Sequence, residues 1–451
     1  MIKVNIISLL LVLLTITSAK AQKYWTLADC IDYALENNIR IKRQELQVKQ
    51  GQYNYRQSML NALPGINAHA SHNYSRGRSL DLITYEYIDI PHESGSMSMS
   101  ASMNIFSGLY NYHNIRQERH NLQASLYEVE GAKDEISLSI VAAFLQILYE
   151  KEMLEIDEKQ LMLSELQLEN ARVSYELGDV PKSRLYELES QNAAYRHILT
   201  LSRNRLKSSY LDLKHLLQLD MEEEFRIRMP EITYETDKSI LMYPVDDIYS
   251  EAESSYPFVK GAEYLLKSSK KALDISRSQL FPSLSVTAGM GSRYSELARN
   301  PRENDETPDY PYDLQMSDNF GQYISFSLSI PIFNRWETRT RISRAKTNIL
   351  DAEYRVEEVK QQLYSQVHQH YNDALAAKDN FESADKSRLY ADEAFNYAKR
   401  QFELGLINFV DYQYAQNNYI TAESELVRAR YDLILRLAFL DYYMGNPIGM
   451  E

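Results

Sequence analysis

Cysteine is nearly absent from this chain: Cys30 is the only one in 451 residues, so no internal disulfide is possible. Long apolar runs are equally scarce. Beyond the first twenty residues no stretch approaches the roughly 18 to 20 apolar residues that a membrane helix requires. A bilayer, if this chain spans one, must be crossed by strands. Basic residues are outnumbered, 49 Lys and Arg against 63 Asp and Glu, giving a formal charge of −14. That balance argues against a nucleic-acid partner, which demands a basic footprint, and reads as solvation of long exposed helices. Catalytic signatures are missing as well. No P-loop, G-x-S-x-G or H-E-x-x-H pattern occurs. The pairs His368/His370 and His113/His120 lack the companions and spacing of a zinc site, and His69 and His72 fall on opposite strand faces. The expectation is therefore no catalytic, cofactor or metal site, and no enzyme.

Tyrosine, by contrast, is abundant at 35 residues, many near strand-like runs and along helical stretches. Interfacial aromatic girdles are one reason for such content in a membrane barrel, and helix packing explains much of the rest. At the N-terminus, Lys3, the apolar run Ile6 to Ile16 and Ala19-Lys20-Ala21 form a signal peptide over residues 1–21, with the mature chain starting near Gln22 outside the cytoplasm. Leu27-Ala28-Asp29-Cys30 faintly echoes a lipoprotein box, but Asp29 replaces the small residue, and Lys20 and Lys23 separate it from the apolar run.

The chain also repeats itself. Phe106 recurs as Phe333, and Tyr175-Glu176-Leu177-Gly178 recurs as Phe402-Glu403-Leu404-Gly405, both at an offset of 227. The period of two is plain in four segments. Ile66, Ala68, Ala70, His72 and Tyr74 alternate with Asn67, His69, Ser71 and Asn73; Met97, Met99, Ala101, Met103 and Ile105 alternate with serines and Asn104. In the second half, Leu284, Val286, Ala288 and Met290 and then Ile324, Phe326, Leu328, Ile330 and Ile332 alternate with small polar residues. An apolar face opposite a serine-and-glycine face is the pattern of lipid-facing and lumen-facing residues in a membrane barrel, where strands need about 9 to 11 residues. A half-buried soluble sheet shows the same alternation, but a packed core would place bulk where the serines stand. Four strands cannot close a barrel, and open edges are not tolerated in lipid, so several chains must share one.

The helices set the other dimension. Residues 108–177 hold no proline and one internal glycine, Gly131; if continuous, they reach roughly 100 Å at ~1.5 Å per residue. Residues 334–404 repeat that length. After each Leu-Gly turn a heptad seam follows, Leu188, Asn192, Tyr195, Leu199, Ser202, Leu206 and Leu213 in one half, and Ala415, Tyr419, Ala422, Leu426, Ala429, Leu433 and Leu440 in the other. The boundaries read as follows. A first repeat over 22–230 contains a helix across 26–62, strands 64–74 and 95–106 around an exposed loop, the long helix 108–177, a tip turn 178–182 and a return helix 183–217. A second over 231–451 contains a helix to 280, strands 282–294 and 320–333 around a Pro-rich acidic loop, the long helix 334–404, a tip turn 405–408 and a return helix 409–440. Residues 218–243 and 441–451 read as a small mixed region.

This order of elements resembles the TolC family of outer-membrane exit ducts over essentially the whole mature chain. The likeness is carried by Leu27 to Asn38, the Leu63-Pro64 and Phe281-Pro282 strand entries, Pro331-Ile332-Phe333 before the second long helix, and the Arg172-to-Gly178 and Arg400-to-Gly405 turns. It implies a mixed α and membrane β fold, internally duplicated. A long α-helical coiled-coil tube would be joined to four strands per chain, which contribute to a twelve-stranded β-barrel shared by a homotrimer. The barrel would sit in outer-membrane lipid and the helices in the periplasm. The likeness makes the two turns the tips that meet a periplasmic adaptor protein, with Arg172, Tyr175, Leu177 and Gly178 on one and Arg400, Phe402, Leu404 and Gly405 on the other. The adaptor would bridge to an inner-membrane pump, the source of energy for export.

The same likeness places a periplasmic gate after the second turn. Asp411 matches the first aspartate of the family's gate motif, and Asp411, Tyr414, Asn418, Thr421 and Glu425 form a stripe at helical spacing. Three Asp411 carboxylates around a threefold axis would make a cation-attracting ring. The sequence also departs from the family. Tyr414 stands where a second aspartate is common, Phe402 replaces a tyrosine, and Ile407 occupies an often basic position, so closure by aromatic packing is expected in place of polar latches. The function implied is passive conduction of small toxic compounds delivered by the pump. A protein-secretion duct of the same fold and a soluble periplasmic coiled-coil scaffold without a pore are the alternatives.

Overall fold

The computed structural model describes residues 24–80, 85–89, 91–222, 224–228, 238–298 and 310–446. The signal peptide, Pro230 and Pro447 lie outside them. The elements in chain order are β1 (Tyr24–Trp25), α1 (Leu27–Asn37), α2 (Ile39–Leu60), β2 (Gly65–Ser75), β3 (Ser79–Leu80), β4 (Tyr87–Ile88), β5 (His92–Ser107), α3 (Tyr110–Glu176), α4 (Lys182–Leu217) and β6 (Arg226–Ile227). A 3-10 turn (Lys238–Met242) leads to α5 (Val245–Ser255), α6 (Pro257–Ser278), β7 (Ser283–Ser295), α7 (Tyr312–Asp318), β8 (Gly321–Ser329), α8 (Glu337–Glu403) and α9 (Phe409–Tyr443). α3 and α8 are both 67 residues long. Among the described residues no helix is long and apolar enough to cross a membrane.

Several elements are finer than the periodicity suggests. The stretch 26–62 is two helices broken at Asn38, whose buried side-chain amide donates to the Leu216 carbonyl and whose Oδ1 accepts from Arg40 N. The stretch to 280 is also two helices, because Pro257 opens α6 at the first helical position, where its missing N–H costs nothing. The exposed loop read over 75–94 contains the β3–β4 hairpin and the start of β5. The strand read over 320–333 stops at Ser329, before Pro331.

The chain forms two compact units that cut across the two sequence repeats. One contains residues 47–126 and 261–357, the other residues 24–46, 127–260 and 358–446. In the first unit, β2, β5, β7 and β8 form an antiparallel sheet in that order. Its register lines up like with like. Ile66, Ala101, Ala288 and Ile324 form one row across all four strands, and Met103, Val286 and Phe326 another. The intervening rows are mostly small and polar, as in Gly65, Ser102, Thr287 and Ser325, with the Tyr323 ring lying over Gly289 in the next such row. Since the pleat repeats every two residues, this register puts every apolar row on one face. A bulge between Asn104 and Phe106 keeps Phe106 in register with Leu284.

Both strand-to-helix corners use one backbone device. Gly108 and Leu109 (φ 62° and 66°) and, 227 residues later, Arg335 and Trp336 (φ 52° and 65°) are consecutive left-handed residues. Gly108 is sterically required, since a Cβ there would lie 2.4 Å from the Ser278 carbonyl oxygen. The non-glycine residues carry a left-handed cost of about 1–2 kcal/mol each.

The other unit is held by packed helices. Phe144, Ile140, Ile147 and Leu148 of α3, Leu213 and Leu217 of α4, and Cys30, Ile31 and Ala34 of α1 are buried in one core. Cys30 is fully buried and has no disulfide partner. Thr26 and Asp29 close a reciprocal capping box at the start of α1. α4 runs antiparallel to α3 along the heptad seam, with Leu188, Asn192, Leu199, Ser202 and Leu213 buried. Ser202 donates to the buried Asp157, and Arg205 donates to Ser202 Oγ (2.7 Å) and Glu150 (3.2 Å). α9 buries a broader stripe than one heptad seam, because it packs on α8 through Leu433, Leu437 and Leu440 and on α3 through Val427 and Tyr431. Arg430 of α9 also pairs with Glu152 of α3. Tyr442 donates to Asp134 at 3.0 Å in a buried setting that pushes both groups' pKa values up.

Candidate functional site

Each long helix ends in a Schellman motif built on a left-handed glycine. At the first tip Gly178 (φ 87°) donates to the Tyr175 carbonyl and Asp179 N to the Ser174 carbonyl; at the second, Gly405 (φ 72°) donates to the Phe402 carbonyl and Leu406 N to the Gln401 carbonyl. No atom lies within 4 Å of a Cβ placed on either glycine, so the positive φ alone selects glycine there. The turns present their apolar residues to solvent. Leu177 and Leu404 are each 73 % exposed, and Tyr175, Phe402, Arg172 and Arg400 are exposed as well. Arg172 lies 3.7 Å from Glu189. This outward placement supplies a surface with little internal packing to lose.

Asp411, Tyr414 and Asn418 occupy one exposed face at the start of α9. The backbone N–H of Asp411 donates to Oδ1 of Asn408, the N-cap (2.9 Å), so Asp411 also sits in the first turn, where the helix dipole favours an acid. Opposite that face lies an aromatic cluster. Phe402 stacks on Tyr412 (centroids 4.9 Å, 23° apart), Phe395 on Tyr419 (5.6 Å, 10°), and Phe409 meets Phe402 edge-on at 5.9 Å. Burial raises the pKa of Tyr412, against a hydrogen bond from Gln167 that lowers it. Gln167 in turn donates to Gln416 at 3.2 Å, tying α3 to α9.

One participant was not among the residues singled out from the sequence. The guanidinium of Arg184, at the start of α4, lies 3.2 Å from the centroid of Phe409 and is held by Glu187 at 3.0 Å. Arg184 is the positional counterpart of Asp411 at the 227 offset. Aligning the repeats one turn beyond the Leu-Gly motif reveals the opposite charge; the contact with Phe409 is tertiary and leaves no trace in the sequence. Among the described residues, no group of three or more His, Cys, Asp or Glu is placed to hold a metal ion.

A four-stranded sheet with one apolar face, two helical hairpins with solvent-facing tips, and an internal duplication define the architecture of an outer-membrane channel subunit. The pattern of the outer membrane efflux proteins matches residues 30–217 and again 248–446, once for each repeat. The chain belongs to that family. The outer membrane efflux protein BepC of Brucella suis is 18 % identical over 382 residues, covering 84 % of this chain and 76 % of BepC. The crystal structure of CusC, described in terms of folding and transmembrane channel formation, superposes with a TM-score of 0.77 at 15 % identity, covering 93 % of this chain and 92 % of that one. The outer membrane protein VceC of Vibrio cholerae gives 0.76 at 14 % identity, covering 94 % and 96 %. At such identities the superpositions establish the shared fold.

Proposed function

We propose that three copies of this chain form one twelve-stranded barrel in the outer membrane, with the helices extending into the periplasm as the exit duct of a tripartite export system. The observation that carries this reading is the sheet itself. Within the chain, β2 and β8 each pair on one side only, and the apolar row Ile66, Ala101, Ala288 and Ile324 runs unbroken across all four strands. Hydrocarbon does not tolerate an open edge; joining β8 of one copy to β2 of the next removes every edge and turns the apolar face to lipid. The serine and glycine rows then line the lumen. Conduction is passive, with energy supplied by an inner-membrane pump through a periplasmic adaptor that docks on Leu177, Leu404 and their neighbours. Asp411, Tyr414 and Asn418 ring the constriction, and the Phe402–Tyr412 stack holds it. Small toxic compounds are the favoured cargo, in line with BepC being an efflux protein.

The test is cysteine cross-linking across the outer strands. Cys30 is buried and does not compete. A panel pairing Asn67→Cys on β2 with Ser325→Cys or Ser327→Cys on β8 should give disulfide-linked trimers in the outer-membrane fraction. Absence of linked chains across the whole panel would contradict the shared barrel.

A further inference from the structure

Four helix ends meet the sheet, those of α2, α3, α6 and α8, and all lie with it in one compact unit. Each carries an exposed arginine within about two turns of that helix end: Arg56, Arg116, Arg277 and, on α8, Arg339, Arg341 and Arg344. Arg335, in the corner before α8, is exposed too. The acids in these stretches are Glu118, Asp274 and Glu337; Glu118 accepts from Asn121 (3.3 Å), Asp274 is ion-paired with Lys271 (2.9 Å) and Arg277 (3.7 Å), and Glu337 with Arg341 (2.6 Å). A chain with fourteen more acids than bases has thus gathered positive charge where its helices join the sheet.

Apolar anchors lie among the arginines. Leu109 and Trp336, the second left-handed residues of the two corners, are each 58 % exposed. The Arg339 guanidinium lies 4.5 Å from the Trp336 ring centroid, and that of Arg116 lies 4.6 Å from the Tyr112 ring. Stacking on a ring leaves the guanidinium edge free to bind oxygen bidentately. The arginines are spread over four helix ends instead of converging on one cavity, which fits a charged surface and not a small soluble anion.

We propose that this collar binds the headgroup phosphates of anionic phospholipid, in the leaflet that meets the helical end of the sheet. Trp336 and Leu109 anchor at the level of the headgroups, and Arg339, Arg341, Arg344 and Arg116 face the phosphates. The proposal rests on the reading that the sheet is embedded in a membrane. Two principles support the occupant: aromatic side chains collect at membrane interfaces, and basic clusters beside them attract anionic lipid.

Trp336 supplies its own probe, since the chain has one other tryptophan, Trp25. The full-length protein with Trp25→Phe would be reconstituted in phosphatidylcholine vesicles containing a fixed minor fraction of a lipid brominated on its acyl chains. That lipid is either phosphatidylglycerol or phosphatidylcholine. Brominated phosphatidylglycerol is expected to quench Trp336 at least about twofold more than brominated phosphatidylcholine. The difference should collapse in high salt and in the Arg339→Gln/Arg341→Gln/Arg344→Gln variant, whose assembly is checked by its mass in detergent. Equal quenching by the two lipids would overturn the collar while leaving the embedded sheet intact. No quenching by either would overturn both.

Discussion

The two repeats share their backbone devices and differ in the side chains those devices carry. Gly178 and Gly405 close matching Schellman turns, and residues 108–109 and 335–336 turn matching left-handed corners. Yet the corner is Gly-Leu in one repeat and Arg-Trp in the other, and one turn past the tips Arg184 stands opposite Asp411. Pro181 caps α4 without a side-chain hydrogen bond, where Asn408 caps α9 with one. Geometry common to both halves therefore belongs to the fold. Chemistry present in only one half marks where an otherwise symmetric subunit becomes specialised. By that criterion the second tip, with its acid and its aromatic cluster, is the specialised end.

The largest effects should fall where the halves are alike. Arginine at Met99, Val286 or Phe326 would put a charge on the apolar face of a strand from either repeat, at a cost of roughly 2–4 kcal/mol near a bilayer midplane. Each variant is expected to vanish from the outer-membrane fraction on immunoblots, and normal recovery of all three would sever the apolar rows from lipid. Next come the corners, which the substitution of one residue should separate. Gly108→Ala drives a Cβ into the Ser278 carbonyl and should cost at least about 2 kcal/mol in chemical denaturation. Arg335→Gly removes left-handed strain and should gain about 0.5–1 kcal/mol. Equal responses at the two corners would break the claim that they are sterically distinct.

At the tips, Gly178→Val and Gly405→Val each force a β-branched residue to positive φ, a strain of about 1–2 kcal/mol. Export should be lost in a cellular accumulation assay while the trimers persist in detergent; retained export would make the tips dispensable for docking. The smallest effects discriminate between the tips. Asp411→Ala should weaken divalent-cation block of single-channel conductance, whereas Arg184→Ala should leave block intact. Arg184→Ala should instead loosen the Phe409 cluster by about 0.5–2 kcal/mol, measured as raised opening frequency. Identical behaviour of the two variants would erase the asymmetry.

Much of this was legible in the sequence for physical reasons. The period of two in the strands, the absence of proline from the long helices and the 227-residue offset are local signals, and the strand faces and the lengths of the two long helices follow them. What escaped notice was tertiary or too short to show a period. The break at Asn38 depends on a hydrogen bond to Leu216, and no glycine or proline announces it. α7 lies in a stretch that reads as a Pro-rich loop, and its seven residues make two turns, too few for a hydrophobic stripe. There Gln315 exchanges hydrogen bonds with both backbone groups of Ser295, and Asn319 donates to the Arg293 carbonyl. Two side-chain amides thus take over along β7 where pairing with β8 ends at Gly291. Arg184 was hidden because its aromatic partner is 225 residues away.

The most direct test of the shared barrel is the mass of the mature protein extracted by detergent from the outer-membrane fraction. A stable species of three chains is the expected result. A monomer or dimer released without detergent would contradict the channel and leave a periplasmic scaffold as the better description.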